Sequence, residues 1–434
     1  MPLSWTDWCF LSIVFLSICF LKHCLRREHI RTAWQRAFST PLAVSAAIIF
    51  LGFVSIAILD SLHVNWQHPA GQNVLEAETV LDHLLEPLDT FYEKTYVAPL
   101  SLTLYDQEVL VENNQVVQSY APIFYHYHDF SDNAAKDKFV LFVLMQTAAF
   151  ALLCLLVVIG ILQISGLRPM WGALCTLFFC IWLLSGCYEL SRELHVFGTG
   201  KIGQDIFYYT LKSVRTGLVI GTVTTLFMLP FAVILGMCAG YFGGRVDDII
   251  QYIYTTLSSI PGVLLITASV LSMQTYIANH PQRFPTLAES ADARLLALCM
   301  ILGVTSWTSL CRILRAETLK WRELEFVQAA KVLGTGPWNI LRRHILPNLI
   351  PVIIITLVLD FSFLVLAEAV LSYVGVGVSP LTISWGNMIN GARLELARDP
   401  VVWWPIGAAF LFMFILVLAS NLLVDALRDG FDRV

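Results

Sequence analysis

Charge is scarce in this sequence: Asp, Glu, Lys and Arg make up 14% of its 434 residues, against about a quarter in ordinary soluble domains. Water is not its main solvent. Paired cysteines are lacking as well. The ten cysteines (Cys9, Cys19, Cys24, Cys154, Cys175, Cys180, Cys187, Cys238, Cys299 and Cys311) sit in or beside apolar runs without metal-type C-x-x-C spacing, and they read as small buried hydrophobes. A net charge of -5 is too small to call for a nucleic-acid partner. Between Ser61 and Asp137 there is no cysteine and scarcely any Lys or Arg, so disulfides do not hold that stretch together.

What is abundant is hydrocarbon: 57% of the residues are hydrophobic and the mean hydropathy is +0.70. A helix crossing roughly 30 Å of bilayer core needs about 20 mostly apolar residues. About nine stretches meet that rule: Trp5 to Leu21, Pro41 to Leu59, Phe139 to Ile164, Trp171 to Cys187, Thr216 to Ala239, Ile249 to Met273, Leu295 to Leu314, Leu349 to Leu371 and Val402 to Leu423. The chain is therefore expected to be an all-α polytopic membrane protein. A cleaved signal peptide is a rival reading of the first stretch, but Lys22, Arg26, Arg27, Arg31 and Arg36 follow the apolar run instead of preceding it.

The basic residues orient the helices. The second dense cluster is Arg312, Arg315, Lys320, Arg322, Lys331, Arg342 and Arg343, and loops rich in Lys and Arg stay in the cytoplasm. An odd number of crossings puts both clusters on one side, giving a periplasmic N-terminus and a cytoplasmic C-terminus. The acidic stretch 61–137, with Glu76, Glu78, Asp82, Glu86, Asp89, Glu93, Asp106, Glu108 and Glu112, falls on the periplasmic side. Alternation from Leu100 to Val117 around Glu112-Asn113-Asn114 predicts a β-hairpin there, and the insertion is expected to be α/β or irregular.

The segment 323–347 is the most informative. Leu324 to Leu333 reads as a short helix, Gly334 suits the left-handed residue that ends it, and Pro337 suits the first turn of a second helix whose negative end Arg342 and Arg343 would occupy. Pattern alone leaves open an ordinary interfacial loop. The run Gln328-Ala329-Ala330-Lys331-Val332-Leu333-Gly334, continuing to His344-Ile345-Leu346-Pro347-Asn348, closely resembles the EAA loop of ABC-importer permeases. Gln328 stands where the motif has Glu and His344 where it has Ile. The His-x-Leu-Pro-Asn ending resembles the dipeptide, oligopeptide and nickel branch. The likeness continues through Phe197-Gly198-Thr199, the Ala239 to Asp247 turn, Ala367 to Gly377, Ser384 to Met388 and Asn421 to Asp429.

The resemblance implies a type I ABC importer transmembrane domain, with a permease core at 197–434 and a first core helix at 41–60; the extra helix and basic linker at 1–40, the acidic insertion at 61–137 and the inserted hairpin at 138–190 are read from the residues alone and lie outside the family pattern. It further implies a bacterial inner (plasma) membrane location among membrane lipid, a second permease subunit, two ATPase subunits, a periplasmic substrate-binding protein, and no enzyme activity in this chain. ATP and Mg would bind the ATPase partner and no cofactor this chain. Gln328, Ala329, Ala330, Gly334, His344, Leu346 and Pro347 would then be the coupling loop. Gly198-Thr199-Gly200-Lys201 is no phosphate loop, because His195 and Ile202 break the pattern. His126-Tyr127-His128-Asp129 lacks the ligand count of a metal site.

Asp360 lies inside the apolar run Ile353 to Leu366. A charge at mid-membrane costs about 2.5–3.5 kcal/mol on insertion scales, so it faces either a partner helix or a water-filled path. Glu368 has the same two readings, and both are candidates for the translocation path. A secondary transporter or channel built on Asp360 would show internal repeats, and none is visible. A membrane sensor or enzyme using the insertion would need a constellation of spaced catalytic residues, which the acidic stretch does not offer.

Overall fold

The computed structural model describes residues 4–24, 28–64, 79–89, 93–112, 115–123, 133–165, 170–284 and 286–432. Apolar runs with no outside hydrogen-bond partner in hydrocarbon must close their backbone bonds internally, and nearly every element is helical. In chain order these are α1 (Trp5–Cys24), α2 (Glu28–Ala37), α3 (Pro41–Ser61), α4 (Val80–Leu84) and α5 (Glu86–Asp89), then strands β1 (Thr103–Glu112) and β2 (Gln115–Pro122). The remainder are α6 (Asn133–Ile164), α7 (Trp171–Ser191), α8 (Ile206–Phe242), α9 (Gly244–Ser259), α10 (Gly262–Asn279), α11 (Leu287–Arg322), α12 (Glu325–Val332), α13 (Pro337–Ile340), α14 (Leu346–Val374), α15 (Trp385–Ala392) and α16 (Trp404–Asp432). Among the described residues eight helices are long and apolar enough to cross a membrane, and Trp5–Cys19 is a shorter apolar helix.

The crossing expected over Ile249 to Met273 is corrected. That run is cut at Ile260-Pro261 into α9 and α10, and the span is Gly262–Asn279. Residues before a proline are pushed out of the helical region, and Ile260 is extended. The α9 helix instead carries Asp247 and Asp248 near its start and is amphipathic, with Ile250 and Tyr254 buried.

The chain divides into two compact units, one made of 38–216 with 383–423 and the other of 4–37 with 217–382 and 424–434. In the first unit α7 packs against both α3 and α6 along small residues. Ala43, Ala46, Ala57, Ala173 and Gly186 are buried there, Thr176 donates to Ser45 Oγ at 2.8 Å, and Trp182 Nε1 donates to the Leu144 carbonyl at 3.0 Å. Small residues and interhelical hydrogen bonds replace the hydrophobic drive that lipid cannot supply.

The polar insertion is tied to the same unit. β1 and β2 pair antiparallel with Glu112 opposite Gln115, the hairpin that the alternation predicts. Thr199 Oγ1 accepts from Val97 N at 2.7 Å and donates to Thr95 O at 2.9 Å. Tyr105 OH donates to Val401 O, and Arg398 bonds Asp106 at 2.7 Å. Gly203, with φ +79°, passes so close to Glu93 that a Cβ would lie 1.8 Å from its carbonyl oxygen. Asp205 caps the first turn of α8 through Phe207 N and Tyr208 N and holds His195 Nδ1 at 2.7 Å. Burial would depress the His195 imidazole, but the hydrogen bond to Asp205 and the Glu93 carboxylate 3.8 Å from Nε2 raise it to about 9.

In the second unit α8, α11 and α14 form the core. A Cβ at Gly221 would lie 2.3 Å from the Phe361 ring, and one at Gly303 would lie 2.7 Å from Phe227 Cβ. These approaches place α8 alongside both of the others. The N-terminal helix α1 lies on α11: Phe10 is buried, Asp292 accepts from Trp5 N at 2.8 Å, and the Thr6 hydroxyl donates to it. A carboxylate there satisfies first-turn N–H groups that have no intrahelical partner.

Gly221→Ala is expected to lower the apparent Tm of the detergent-solubilised protein, since overpacking a tight contact costs about 1–3 kcal/mol. Gly52→Ala, with nothing within 4 Å of the added Cβ, is expected to leave it unchanged or raise it slightly, as alanine favours helix by about 0.5–1 kcal/mol. Thermal unfolding of the two variants compares them directly, and equal loss at both positions contradicts the packing described.

Candidate functional site

The segment joining α11 to α14 is built from its carbonyls outward. α8 ends at a turn through Gly243 (φ +64°) and Gly244 (φ +51°), and Arg322, at the end of α11, donates to the last carbonyls of α8, Gly240 O and Tyr241 O, both at 3.3 Å. Gln328 Nε2 in turn donates to Arg322 O at 3.0 Å. Two side chains thus fasten three helix ends. Arg315 grips Asp247 in a bidentate pair at 2.5 and 2.6 Å, and hydrogen bonds from that guanidinium hold the Asp247 carboxyl below the usual carboxylate range.

α12 shows two faces. Val327 and Ala330 are buried in a core with Ile340, Leu341, Ile345 and Leu349, while Ala329 is exposed and Gln328 half-buried. After α12 the chain reverses at Gly334, φ +78°, with Thr335 N donating to Ala330 O and Gly334 N to Lys331 O. This pattern caps the orphan carbonyls of a helix end and needs a left-handed residue. An added Cβ would meet nothing within 4 Å, so the backbone conformation, and not lack of space, is what requires glycine. Around this reversal Val332 (86%), Leu333 (84%) and Trp338 (64%) stand out to solvent.

Pro337 opens α13 as expected, but the helix does not end at Arg342 and Arg343. A π turn over Leu341–Ile345 joins it directly to α14. Pro347 and Pro351 lie just beyond, in the first turns of α14 and inside it. A proline ring clashes with the carbonyl four residues back and removes a hydrogen bond, and a wider turn absorbs both. Arg342 and Arg343 remain exposed, whereas His344, Leu346 and Pro347 are half-buried. His344 faces the Phe326 ring at 6.2 Å and its carbonyl accepts from Asn348 Nδ2.

Asp360 and Glu368 are not brought together. Glu368 is 2% exposed and accepts from Ser372 Oγ at 2.7 Å, next to Gly375, whose positive φ of +87° ends α14. Asp360 is half-buried, and among the described residues its Oδ2 has no hydrogen-bond partner. The Gly198 to Gly200 segment offers no anion cradle, because its three N–H groups bond His195 O, Val97 O and Gln204 O. His126 to Asp129 lie outside the described residues. Sequence reasoning missed the Arg315–Asp247 pair, whose members are 68 positions apart. It also missed Arg294, which sits seven residues into α11 with a buried Nε that has no partner among the described residues. The only signal was an arginine at the edge of an apolar run.

Comparison with known proteins places this arrangement. Residues 232–433 match the family described as binding-protein-dependent transport system inner membrane component. The chain is 30% identical over 242 residues to a dipeptide transport system permease protein of Lactococcus lactis, covering 56% of this chain and 64% of the relative. It is 32% identical over 246 residues to a glutathione transport system permease protein of Pectobacterium atrosepticum, covering 56% and 74%. A dipeptide transport system permease protein of Bacillus subtilis is 30% identical over 238 residues, covering 55% and 68%. The matched part thus spans between 64% and 74% of these relatives. The chain belongs to the binding-protein-dependent transport system inner membrane components, as an ABC-importer permease of the peptide branch.

Proposed function

We propose that the chain is one of two pore-forming permeases of an ATP-driven importer of peptides, with the α12–Gly334–α13 segment as the element that receives the work of ATP hydrolysis. The observation that carries this reading is the exposed apolar knob of Val332, Leu333 and Trp338 on a rigidly fastened turn. Apolar side chains left this open at the junction of two membrane helices need a partner surface. The relatives named as dipeptide and glutathione permeases support the cargo class.

In this reading two ATPase subunits hold ATP and Mg, a second permease completes the pore, and a periplasmic binding protein delivers cargo. This chain supplies no catalytic group. Movement of the ATPases pulls on α12, and the bonds from Gln328 to Arg322 and from Arg322 to the end of α8 pass that movement to the membrane helices α11 and α8 at once. Gln328 acts through its amide, which bonds its own chain. Ala330 is turned inward and supports the knob from behind, leaving Ala329 and the Gly334 reversal to meet the partner. Inverting a 1:99 preference between inward- and outward-open states takes about 5.5 kcal/mol of differential binding, which has to enter here. Both basic clusters face the ATPases, giving a periplasmic N-terminus and a cytoplasmic C-terminus in the bacterial inner membrane.

Gly334→Val is expected to strain the left-handed turn, at about 1–2 kcal/mol, and to lower cargo uptake severalfold in reconstituted complexes while basal ATP hydrolysis continues. Uptake at the unaltered rate, in complexes of normal composition, sinks the coupling role. Orientation has its own test: alkaline phosphatase fused after Gln118 is expected to be active and the same fusion after Arg343 inactive, and the opposite pattern reverses the topology.

A further inference from the structure

Two charged side chains in the membrane helices of the second unit each carry a buried polar atom with no hydrogen-bond partner among the described residues. Asp360 lies at the centre of α14, 14 residues from either end of Leu346–Val374, too deep to reach either interface. The nearest hydroxyls on its own helix are committed elsewhere: Thr356 donates to Val352 O at 2.9 Å and Ser362 to Val358 O at 3.3 Å. Arg294 is in α11, and its neighbour Asp292 is occupied by Trp5 N and the Thr6 hydroxyl of α1. Among the described residues neither Asp360 Oδ2 nor Arg294 Nε has a hydrogen-bond partner, although both atoms are shielded from water. Neither residue takes part in an ion pair among the described residues. Polar groups in such positions are nearly always satisfied, so an open one calls for an explanation, and intramembrane charges face a bundle interior or a path for cargo.

Their depths follow from the helix contacts. Phe361, beside Asp360, meets α8 at Gly221, whereas Gly303 of α11 meets α8 at Thr224 and Phe227. Arg294 precedes Gly303 by nine residues, and α11 runs parallel to α8, since Gly240 of α8 meets Thr318 further along α11. At 1.5 Å per residue, Arg294 lies roughly 7 Å from the level of Asp360 along the helix direction, towards the N-terminal ends of α8 and α11. That offset is about two residues of extended chain.

We propose that Arg294 and Asp360 are cargo anchors on the translocation path, Arg294 for the carboxylate terminus and Asp360 for the ammonium terminus of a short peptide. This rests on the peptide-importer reading. An arginine fork matches a carboxylate and a lone carboxylate accepts from an ammonium group, and both bonds are charge-assisted. Two opposite charges on neighbouring helices, offset along the helix direction, select a zwitterion of limited length and orient it as it passes. Both residues lie outside the α12–Gly334–α13 segment, so they discriminate among cargoes without affecting basal ATP hydrolysis.

The test uses the whole complex in proteoliposomes, with its cognate partner permease, ATPases and binding protein. Cargoes are tripeptides that the unaltered complex carries in free, amino-acetylated and carboxy-amidated forms. Each variant's uptake is divided by that of the unaltered complex on the same cargo, so the binding protein's own preference cancels. Asp360→Asn is expected to reduce uptake of the free and amidated peptides by about tenfold or more, the scale of one lost charge-assisted bond, and of the acetylated peptide less than twofold. Asp360→Glu restores the free peptide. Arg294→Gln gives the mirror pattern, sparing the amidated peptide, and basal ATP hydrolysis is unchanged in all three variants. Equal loss on every cargo, loss of the partner permease from the purified complex, or no loss at all overturns the proposal while leaving the importer reading in place. An unaltered complex that imports no peptide in any form overturns the reading itself, and the anchors with it.

Discussion

In hydrocarbon a polar group has only the partners the protein gives it, and that constraint orders most of what this chain does. It makes nearly every element a helix and puts alanine and glycine where helices touch. It leads Asp205, Asp292 and Arg322 to fasten helix ends that would otherwise leave N–H or carbonyl groups open. Where the chain leaves the membrane the same logic continues. The insertion strands do not float free: they share hydrogen bonds with the 195–205 loop and with Val401 and Arg398.

The junction between α11 and α14 is where this economy is deliberately incomplete. Its inner face is closed by Val327, Ala330, Ile340 and Ile345, and its backbone is capped through Gly334 and Gln328. Its outer face keeps three large apolar side chains in the open. A stiff support beneath an unsatisfied apolar surface suits a lever, since a flexible loop would absorb the displacement that a partner imposes. The glutamine in place of the family's glutamate fits this support role, because the bond it makes is to a carbonyl, which an amide donates to and a carboxylate cannot.

Much of this was legible in the sequence for identifiable reasons. Long apolar runs announce membrane helices, and period-two alternation announced the hairpin at 103–122. The Gly334 and Pro337 pair marked the reversal, since glycine and proline carry conformational demands of their own. What was hidden depended on distant neighbours or on the ends of runs. Ile249 to Met273 reads as one continuous apolar stretch, and only Pro261 distinguishes the amphipathic helix α9 from the span that follows it. The Arg315–Asp247 grip and the approach of Gly203 to Glu93 join residues far apart in the chain. Arg342 and Arg343 mark no helix end, because the π turn that carries the chain past two prolines has no local spelling. Arg294 stands one residue before the apolar run Leu295 to Leu314, where a charge reads as a helix end.

The central claim is that the α12–Gly334–α13 knob meets an ATPase subunit. A photo-crosslinking amino acid in place of Leu333, which is 84% exposed, reads that contact within the assembled complex in native membranes. The account predicts an adduct with the Walker-type ATPase whose yield changes when ATP is added, and none from the same probe in place of Gln118 on the insertion. An adduct with the ATPase from position 118, or none from position 333 in complexes that contain the ATPase, would contradict it.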